Sequence, residues 1–326
     1  MRRYFLGADI GSTKTHALIA DETGLVVGFG KAGPGNHEAV GYDGLVAALE
    51  TAVRRALAAA DLAKEQVAGA GFGVAGYDWP SEREPTLRAI SCLGLQASVE
   101  AVNDTIPGLL AGAAEGWGVA VVSGTGCNCR GWDQSRQREG KVTGHGVSMG
   151  EAAGASELVF KALQAIAQAW TRRGPPTRLT SVFVELTGSN SIDEMLENLT
   201  TGSVEVHADA APLVFQVAAD GDPVAMDLVH WAGCELGELA CAVVRQLEFE
   251  ELAFDVVLVG SMFEGGPMLI EPMRQTIHAL APGARLVRLT VPPVIGAVLL
   301  GMEQAGLPAP ERREALIDSA RTFLPR

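Results

Sequence analysis

Two short turns rich in Gly, Ser and Thr each continue an apolar run: Asp9-Ile10-Gly11-Ser12-Thr13-Lys14 and Ser123-Gly124-Thr125-Gly126-Cys127-Asn128. Such turns present backbone N–H groups and hydroxyls at close range, which is what binding a phosphate chain requires. The same composition also makes an ordinary hairpin turn, so either one alone says little. Occurring twice, they point to a duplicated unit whose halves grip one nucleotide from opposite sides. Between them lies a lone acid, Asp104, in Val102-Asn103-Asp104. Phosphoryl transfer to an alcohol needs a carboxylate within hydrogen-bond reach of the attacking hydroxyl, because the proton must leave as the O–P bond forms. Asp104 is the candidate. An Asp shortly before Pro107 is equally a helix N-cap, and the local sequence leaves both roles open.

The surrounding patterns say what positions these residues. Residues 4–10, 15–20 and 25–31 predict three short strands, with Asp21-Glu22-Thr23-Gly24 as a hairpin signal between the last two. Residues 41–60 carry apolar side chains at helical spacing. A strand at 69–75, a helix at 82–92, a strand at 98–102 and a helix at 106–114 follow. The rhythm then restarts with strands at 118–123, 127–132 and 141–144. Helices are expected over 151–172 and 208–219, and from 222 to 246, the last opening on Pro223 at a favoured early position. A strand at 254–259, a helix at 266–280, a strand at 284–289 and helices at 292–305 and 310–323 complete the chain. The expected fold is α/β, a β-β-β-α-β-α-β unit used twice with a cleft between two lobes. The expected division is an N-terminal lobe over 1–115 and a C-terminal lobe over 116–308 with a helical insertion over about 155–220. A final helix over about 309–326 would pack back on the first lobe.

Composition narrows the function classes. A chain of 326 residues with 48% hydrophobic and 20% charged residues can bury a large core. The net charge of −14 and the lack of any Lys/Arg-rich run argue against nucleic acid as a partner. The five cysteines show neither a CxxC pair nor metal-ligand spacing with His, which suits reduced thiols in a cytoplasmic protein. The stretch at 291–302 is too short to span a bilayer and contains two prolines, so no membrane role is expected.

With these residues in place, the sequence resembles the actin/hexokinase/Hsp70-type ATPase superfamily. Within it, Ser123–Arg130 (SGTGCNCR) together with Gly35-Asn36-His37 resembles the N-acetylglucosamine kinase branch of the BadF/BadG/BcrA/BcrD ATPase family. The resemblance extends from Asp9 to about Gly301. It implies ATP contacts at Gly11, Ser12, Thr13, Lys14, Gly124, Thr125 and Gly126, and at Ala218, Gly260, Ser261 and Glu264 around the adenosine. It implies a Mg2+ held through Asp9, a catalytic base at Asp104, and sugar contacts at Asn36, His37, Asp104, Cys127, Asn128, Gly144, His145, Gly146 and Glu151. One segment departs from the family pattern, which runs G-W-G, three residues, then G-D-E-G. Here His145 stands for the Trp, Glu151 for the Asp, and Ala152-Ala153 for Glu-Gly. Loss of an aromatic face removes apolar area that packs on a sugar, so these changes bear on sugar identity and leave phosphate handling intact.

The implied function is an ATP-dependent kinase of an amino sugar, N-acetylglucosamine or glucosamine, working as a cytoplasmic homodimer. Two alternatives share the fold. One is the activator ATPase of CoA-ester reductases and dehydratases, whose dimer bridges an iron–sulfur cluster. The other is a sugar-sensing protein that keeps the cleft without the chemistry.

Overall fold

In a computed structural model the chain is described over residues 2–308 and 310–323; positions 1, 309 and 324–326 of the expected terminal segments lie outside the described residues. Strands β1 (Tyr4–Ile10), β2 (Thr15–Asp21) and β3 (Val26–Ala32) form an antiparallel meander, and helix α1 (His37–Ala60) follows. Next come β4 (Val67–Val74), α2 (Arg83–Ile90), β5 (Ser98–Asn103) and α3 (Thr105–Gly112). The second half begins with β6 (Gly118–Ser123), β7 (Cys127–Trp132) and β8 (Glu139–Lys141). A helical block follows: α4 (Ala155–Trp170), α5 (Leu179–Leu186), α6 (Ile192–Thr201), α7 (Ala211–Ala219) and α8 (Pro223–Leu247). The chain ends with β9 (Phe254–Val259), α9 (Pro267–Leu280), β10 (Ala284–Arg288), α10 (Val294–Gln304) and α11 (Pro310–Phe323).

Two five-stranded sheets result, with orders β3-β2-β1-β4-β5 and β8-β7-β6-β9-β10. In each, the first three strands are antiparallel and the last two run parallel to the first. The repeat expected from the sequence is therefore a repeat of topology, strand for strand. Turn chemistry explains the hairpins locally: the Asp21 carboxylate accepts from the backbone N–H groups of Thr23 and Leu25, closing the β2–β3 turn at Gly24 (φ +89°).

The two halves interlock through helices at their boundary. Helix α10 follows the second sheet in sequence yet packs on the first, because small residues let it come close. A Cβ at Gly71 would stand 2.2 Å from the Ala297 carbonyl oxygen. Helix α3 leaves the first sheet and packs under the second, with Ile106, Leu109 and Leu110 in one buried cluster with Ala120, Val257 and Val259. The two helices meet where a Cβ at Gly296 would fall 1.9 Å from the Pro107 carbonyl oxygen. Helix α11 covers the β2–β3 hairpin, where the Val26 amide donates to Ser319 Oγ at 2.8 Å.

The helix expected from residue 151 starts instead at Ala155. Gly154 is extended (φ −83°, ψ 175°) and its amide is capped by Glu157 Oε2, leaving 151–154 as loop. The third strand of the second sheet is β8 at Glu139–Lys141 rather than 141–144, since the ladder pairs Arg130 with Lys141 and Gly144 turns away at φ +78°.

Gly296→Ala tests the helix crossing. Its methyl group has no room against backbone, and overpacking of this kind costs about 1–3 kcal/mol. The thermal midpoint should fall by several degrees; an unchanged midpoint would show that the crossing yields easily.

Candidate active site

The first Gly-Ser-Thr turn closes when the Gly11 amide donates to the Lys14 carbonyl, and the Gly35 amide ties the turn to the loop after β3 by donating to the Gly11 carbonyl. Asn36 caps α1, accepting from the Glu38 amide at 2.9 Å, and donates through Nδ2 to Ser12 Oγ at 3.1 Å. One side chain thus fixes both the helix start and the hydroxyl of the turn. His37 is nearly buried: its ring stacks on Tyr42 with centroids 4.6 Å apart, Nε2 lies 3.4 Å from Glu82, and Nδ1 has no partner among the described residues.

The second turn, at the β6–β7 hairpin, is held from two sides. The amides of Ala155 and Ser156, in the first turn of α4, donate to the carbonyls of Gly124 and Thr125. On the other side, Gly260 (φ +114°) follows β9 so closely that a Cβ there would fall 2.2 Å from the Ser123 carbonyl oxygen. Gly260 therefore couples the phosphate turn to the segment expected to meet adenosine. Beyond it, Ser261 and Glu264 line a cavity of about 300 Å³ with Asp209, Pro212 and Phe215. Ala218 does not join this cavity; it is buried inside α7. The contributions of Asp209, Pro212 and Phe215 come from α7 and the segment before it, and no local motif announces them.

Asp9 (β1) and Asp104 (the residue before α3) form the acidic centre of the cleft. Both are only partly accessible. Burial pushes the Asp9 carboxyl up to about 7; the negative charge of Asp104 adds to the rise and Lys14 opposes it. Asp104 is pushed up to about 6, first by burial and then by Asp78, against the pull of Arg130 and of its own and the Thr105 amides. The Asp9 carboxylate accepts no hydrogen bond among the described residues. Asp104 makes no side-chain cap to α3 either; that capping falls to Asn103, whose Oδ1 accepts from the Thr105 amide at 3.0 Å. The N-cap role that the local sequence left open is thus taken by the neighbouring Asn103.

On the acceptor side, the amide nitrogen Nδ2 of Asn128 has no partner among the described residues, while its Oδ1 accepts from the Cys129 amide. A Cβ at Gly144 would stand 3.3 Å from both Asn128 Nδ2 and Asp78 Oδ1, so these three residues are neighbours. Glu151 is buried and already committed: Oε1 accepts from the Thr143 amide, and Oε2 from Thr143 Oγ1 and the Gly144 amide. These bonds tie together the 143–151 loop, in which Gly146 adopts φ +62°. Burial pushes the Cys127 thiol up to about 12, so it stays protonated and contributes shape rather than a nucleophile. His145 stacks on Trp79, with ring centroids 6.3 Å apart and planes at 17°, and Lys141 Nζ lies 4.7 Å from the centre of the same indole. Trp79, from the first half of the molecule, thus lies beside His145 in the 143–151 loop.

Asp78, Trp79 and Lys141 escaped the sequence reading. Gly76-Tyr77-Asp78-Trp79-Pro80 has the composition of an ordinary turn, and only its contacts with Arg130 on β7 and Lys141 on β8 make it part of the cleft.

Two sheets of matching 3-2-1-4-5 order, each with a Gly-rich turn at its first hairpin, give the two-lobed fold of the actin/hexokinase type. The sequence profile of the BadF/BadG/BcrA/BcrD ATPase family matches residues 6–301, and the chain belongs to that family. Among curated relatives, the N-acetyl-D-glucosamine kinase of Dictyostelium discoideum is 26% identical over 314 residues, covering 92% of this chain and 98% of that protein. The N-acetylmuramic acid/N-acetylglucosamine kinase of Clostridium acetobutylicum is 22% identical over 307 residues, covering 93% and 99%. A solved structure from Chromobacterium violaceum, described as that of an N-acetylglucosamine kinase, shares the fold at a TM-score of 0.68 with 24% identity, covering 91% of this chain and 98% of its own.

The raised carboxyls carry a stability consequence. A carboxyl with a folded-state value above its unfolded value of about 3.8 disfavours the ionised native protein, so stability is lost as pH rises towards 6 for Asp104. Asp104→Asn should therefore melt higher than the parent at pH 8, with the gap closing towards pH 4. A variant that melts lower at pH 8 would contradict the assigned electrostatics.

Proposed function

We propose that this chain is an ATP-dependent kinase that transfers the γ-phosphoryl group to a hydroxyl of an amino sugar, N-acetylglucosamine or glucosamine. The observation that carries the reading is the placement of Asp104. It stands at the start of α3 within electrostatic reach of Asp9 on β1 and of Asp78 and Arg130, where the two sheets meet. The curated relatives, matched over nearly their full lengths, are named as kinases of N-acetylated amino sugars.

In this reading the amides and hydroxyls of residues 11–14 and 124–126 hold the phosphates, and the cavity beside Ser261, Glu264 and Phe215 receives the adenine. Asn36, His37, Asn128 and the 144–146 backbone surround the acceptor, with Cys127 closing one side and Glu151 shaping the loop. Asp104 accepts the proton of the attacking hydroxyl as the bond to phosphorus forms. Its carboxyl, raised to about 6, is ionised at neutral pH yet more basic than an exposed aspartate. Asp9, with no hydrogen-bond partner of its own, fits a Mg2+ that keeps most of its ligands as waters and phosphate oxygens. When bound, the cation supplies neutralisation of the phosphate charge. The enzyme is read as cytoplasmic and homodimeric. Its acidic charge and free cysteines support the compartment, and exposed Val147, Met149 and Phe160 offer apolar area for a partner copy. No helix among the described residues is long and apolar enough to cross a membrane.

A coupled ADP-release assay with Mg-ATP against N-acetylglucosamine, glucosamine, N-acetylmannosamine, glucose and water tests the reading. An amino sugar should raise ADP release far above the water rate. Calorimetric sugar binding without ADP release would favour a sensor instead.

Asp104→Asn should retain ATP binding while kcat falls by about 10²–10⁴, the usual contribution of a general base. Near-parental turnover would remove Asp104 from the chemistry.

Because Asp104 and Asp9 must both be ionised, kcat/KM should rise with pH through an acid limb between about 6 and about 7. A profile flat down to pH 5 would contradict this.

A further inference from the structure

The mechanism above leaves one buried ionic cluster unused. Arg130 on β7 is almost wholly buried, with its side chain 4% exposed, and it reaches out of the second sheet to Asp78 in the turn after β4 of the first. Its Nη2 donates to Asp78 Oδ1 at 2.5 Å and its Nη1 to Glu139, while Nε has no partner among the described residues. Asp78 Oδ1 also accepts from Asn103 Nδ2 at 3.1 Å. Asn103 in turn accepts through Oδ1 from the Thr105 amide at 3.0 Å, at the first turn of α3. The chain of hydrogen bonds thus runs Arg130, Asp78, Asn103, Thr105, and it ends on the residue that follows Asp104.

Independent contacts converge on the same turn. Lys141 lies opposite Arg130 in the β7–β8 ladder and donates to the Asp78 carbonyl oxygen while its ammonium sits over Trp79. His145 stacks on the same indole. Residues 78–79 are therefore held by three side chains, Arg130 and Lys141 from the second sheet and His145 from the loop after it. Arg130 and Lys141 are directly paired on the neighbouring strands β7 and β8. Strand β7 also carries Asn128, two residues before Arg130 and so on the same side of the strand. A displacement of β7 that moves Asn128 moves Arg130 with it.

A buried ion pair of this kind contributes little net stability, because desolvation offsets the attraction, and its retention suits a role in fixing one arrangement. We infer that Arg130 and Asp78 are positioning residues that transmit the seating of β7 against the first sheet, through Asn103, to the backbone that holds Asp104, so that the base is aligned only when the two halves close in this register. This inference rests on the kinase reading for its catalytic consequence, and its structural part stands apart from that reading. Misplacement of a catalytic group by about 1 Å costs roughly 10²-fold in rate, so such a relay has a measurable effect.

The test compares the parent with Arg130→Met and with the double variant Asp78→Leu/Arg130→Met. The double variant guards against misfolding, since apolar replacement of both members of a buried pair is often neutral for stability, and Glu139 remains partly exposed to solvent. Two readouts are taken on the full chain. The first is hydrogen–deuterium exchange of the peptide covering residues 103–108, with α8 as internal reference. The second is kcat and KM with saturating Mg-ATP and N-acetylglucosamine. Both variants should exchange at least tenfold faster in 103–108 with α8 unchanged, and should lose roughly 10–100-fold in kcat with the KM for ATP within about threefold, as losses of orienting outer partners do. Unchanged exchange in 103–108 would overturn the relay, and so would faster exchange with parental kcat. A parent that phosphorylates no sugar would defeat the kinase reading instead, leaving the exchange comparison to decide the relay.

Discussion

The contact between Gly296 and the Pro107 carbonyl, where α3 and α10 cross with no space for even one methyl group, sets where the floor of the cleft lies. Each of these helices packs against the sheet of the other half. The first turn of α3 is thereby fixed relative to both sheets, and Asp104 with it. Small residues at the crossing do what a larger core could not: they let backbone meet backbone, so the two halves are registered by hard contact rather than by adaptable side chains. The phosphate turns depend on the same economy. Gly260 lies against the carbonyl of Ser123, so the segment after β9 and the turn at 123–126 are in direct backbone contact.

Onto this frame the chain places charges that the fold alone would not favour. Burial raises the proton affinity of both Asp9 and Asp104; the charge of Asp104 adds to the rise at Asp9, and that of Asp78 to the rise at Asp104. The buried guanidinium of Arg130 is the main compensating charge from the second half of the molecule. Such an arrangement is costly in an empty cleft; in the kinase reading proposed above it becomes favourable when a cation, a triphosphate and an acceptor hydroxyl enter, as expected of sites whose carboxyls are tuned away from their ordinary values.

Much of the frame was legible in the sequence because it rests on local signals. Alternating apolar residues and Gly-rich punctuation located β1, β6, β7 and β9 with their observed limits, and the Asp21 hairpin followed from turn chemistry. What was not legible depends on neighbours distant in sequence. Asp78 and Trp79 sit in a turn of unremarkable composition and acquire meaning only from Arg130, Lys141 and His145. The hydrogen bonds that Glu151 accepts from Thr143 and Gly144 were not legible either, because they depend on a loop that doubles back through glycines at positive φ. The start of α4 was misplaced for a related reason: Glu157 caps an extended Gly154, and helical periodicity carries no sign of where a cap falls. Asp209, Pro212 and Phe215 join the adenine cavity from α7 and the segment before it, and periodicity does not show which face of a helix meets a distant strand.

The central claim is geometric: one acceptor hydroxyl lies between Asp104 and a γ-phosphate gripped by both Gly-rich turns. A crystal structure of the chain with a non-hydrolysable ATP analogue, Mg2+ and N-acetylglucosamine measures it most directly. The account predicts the triphosphate between residues 11–14 and 124–126, and a sugar hydroxyl at hydrogen-bond distance from the Asp104 carboxylate, about 2.6–3.2 Å, on the side facing the γ-phosphorus. A sugar bound with no hydroxyl near Asp104, or a triphosphate that leaves either turn untouched, would contradict it.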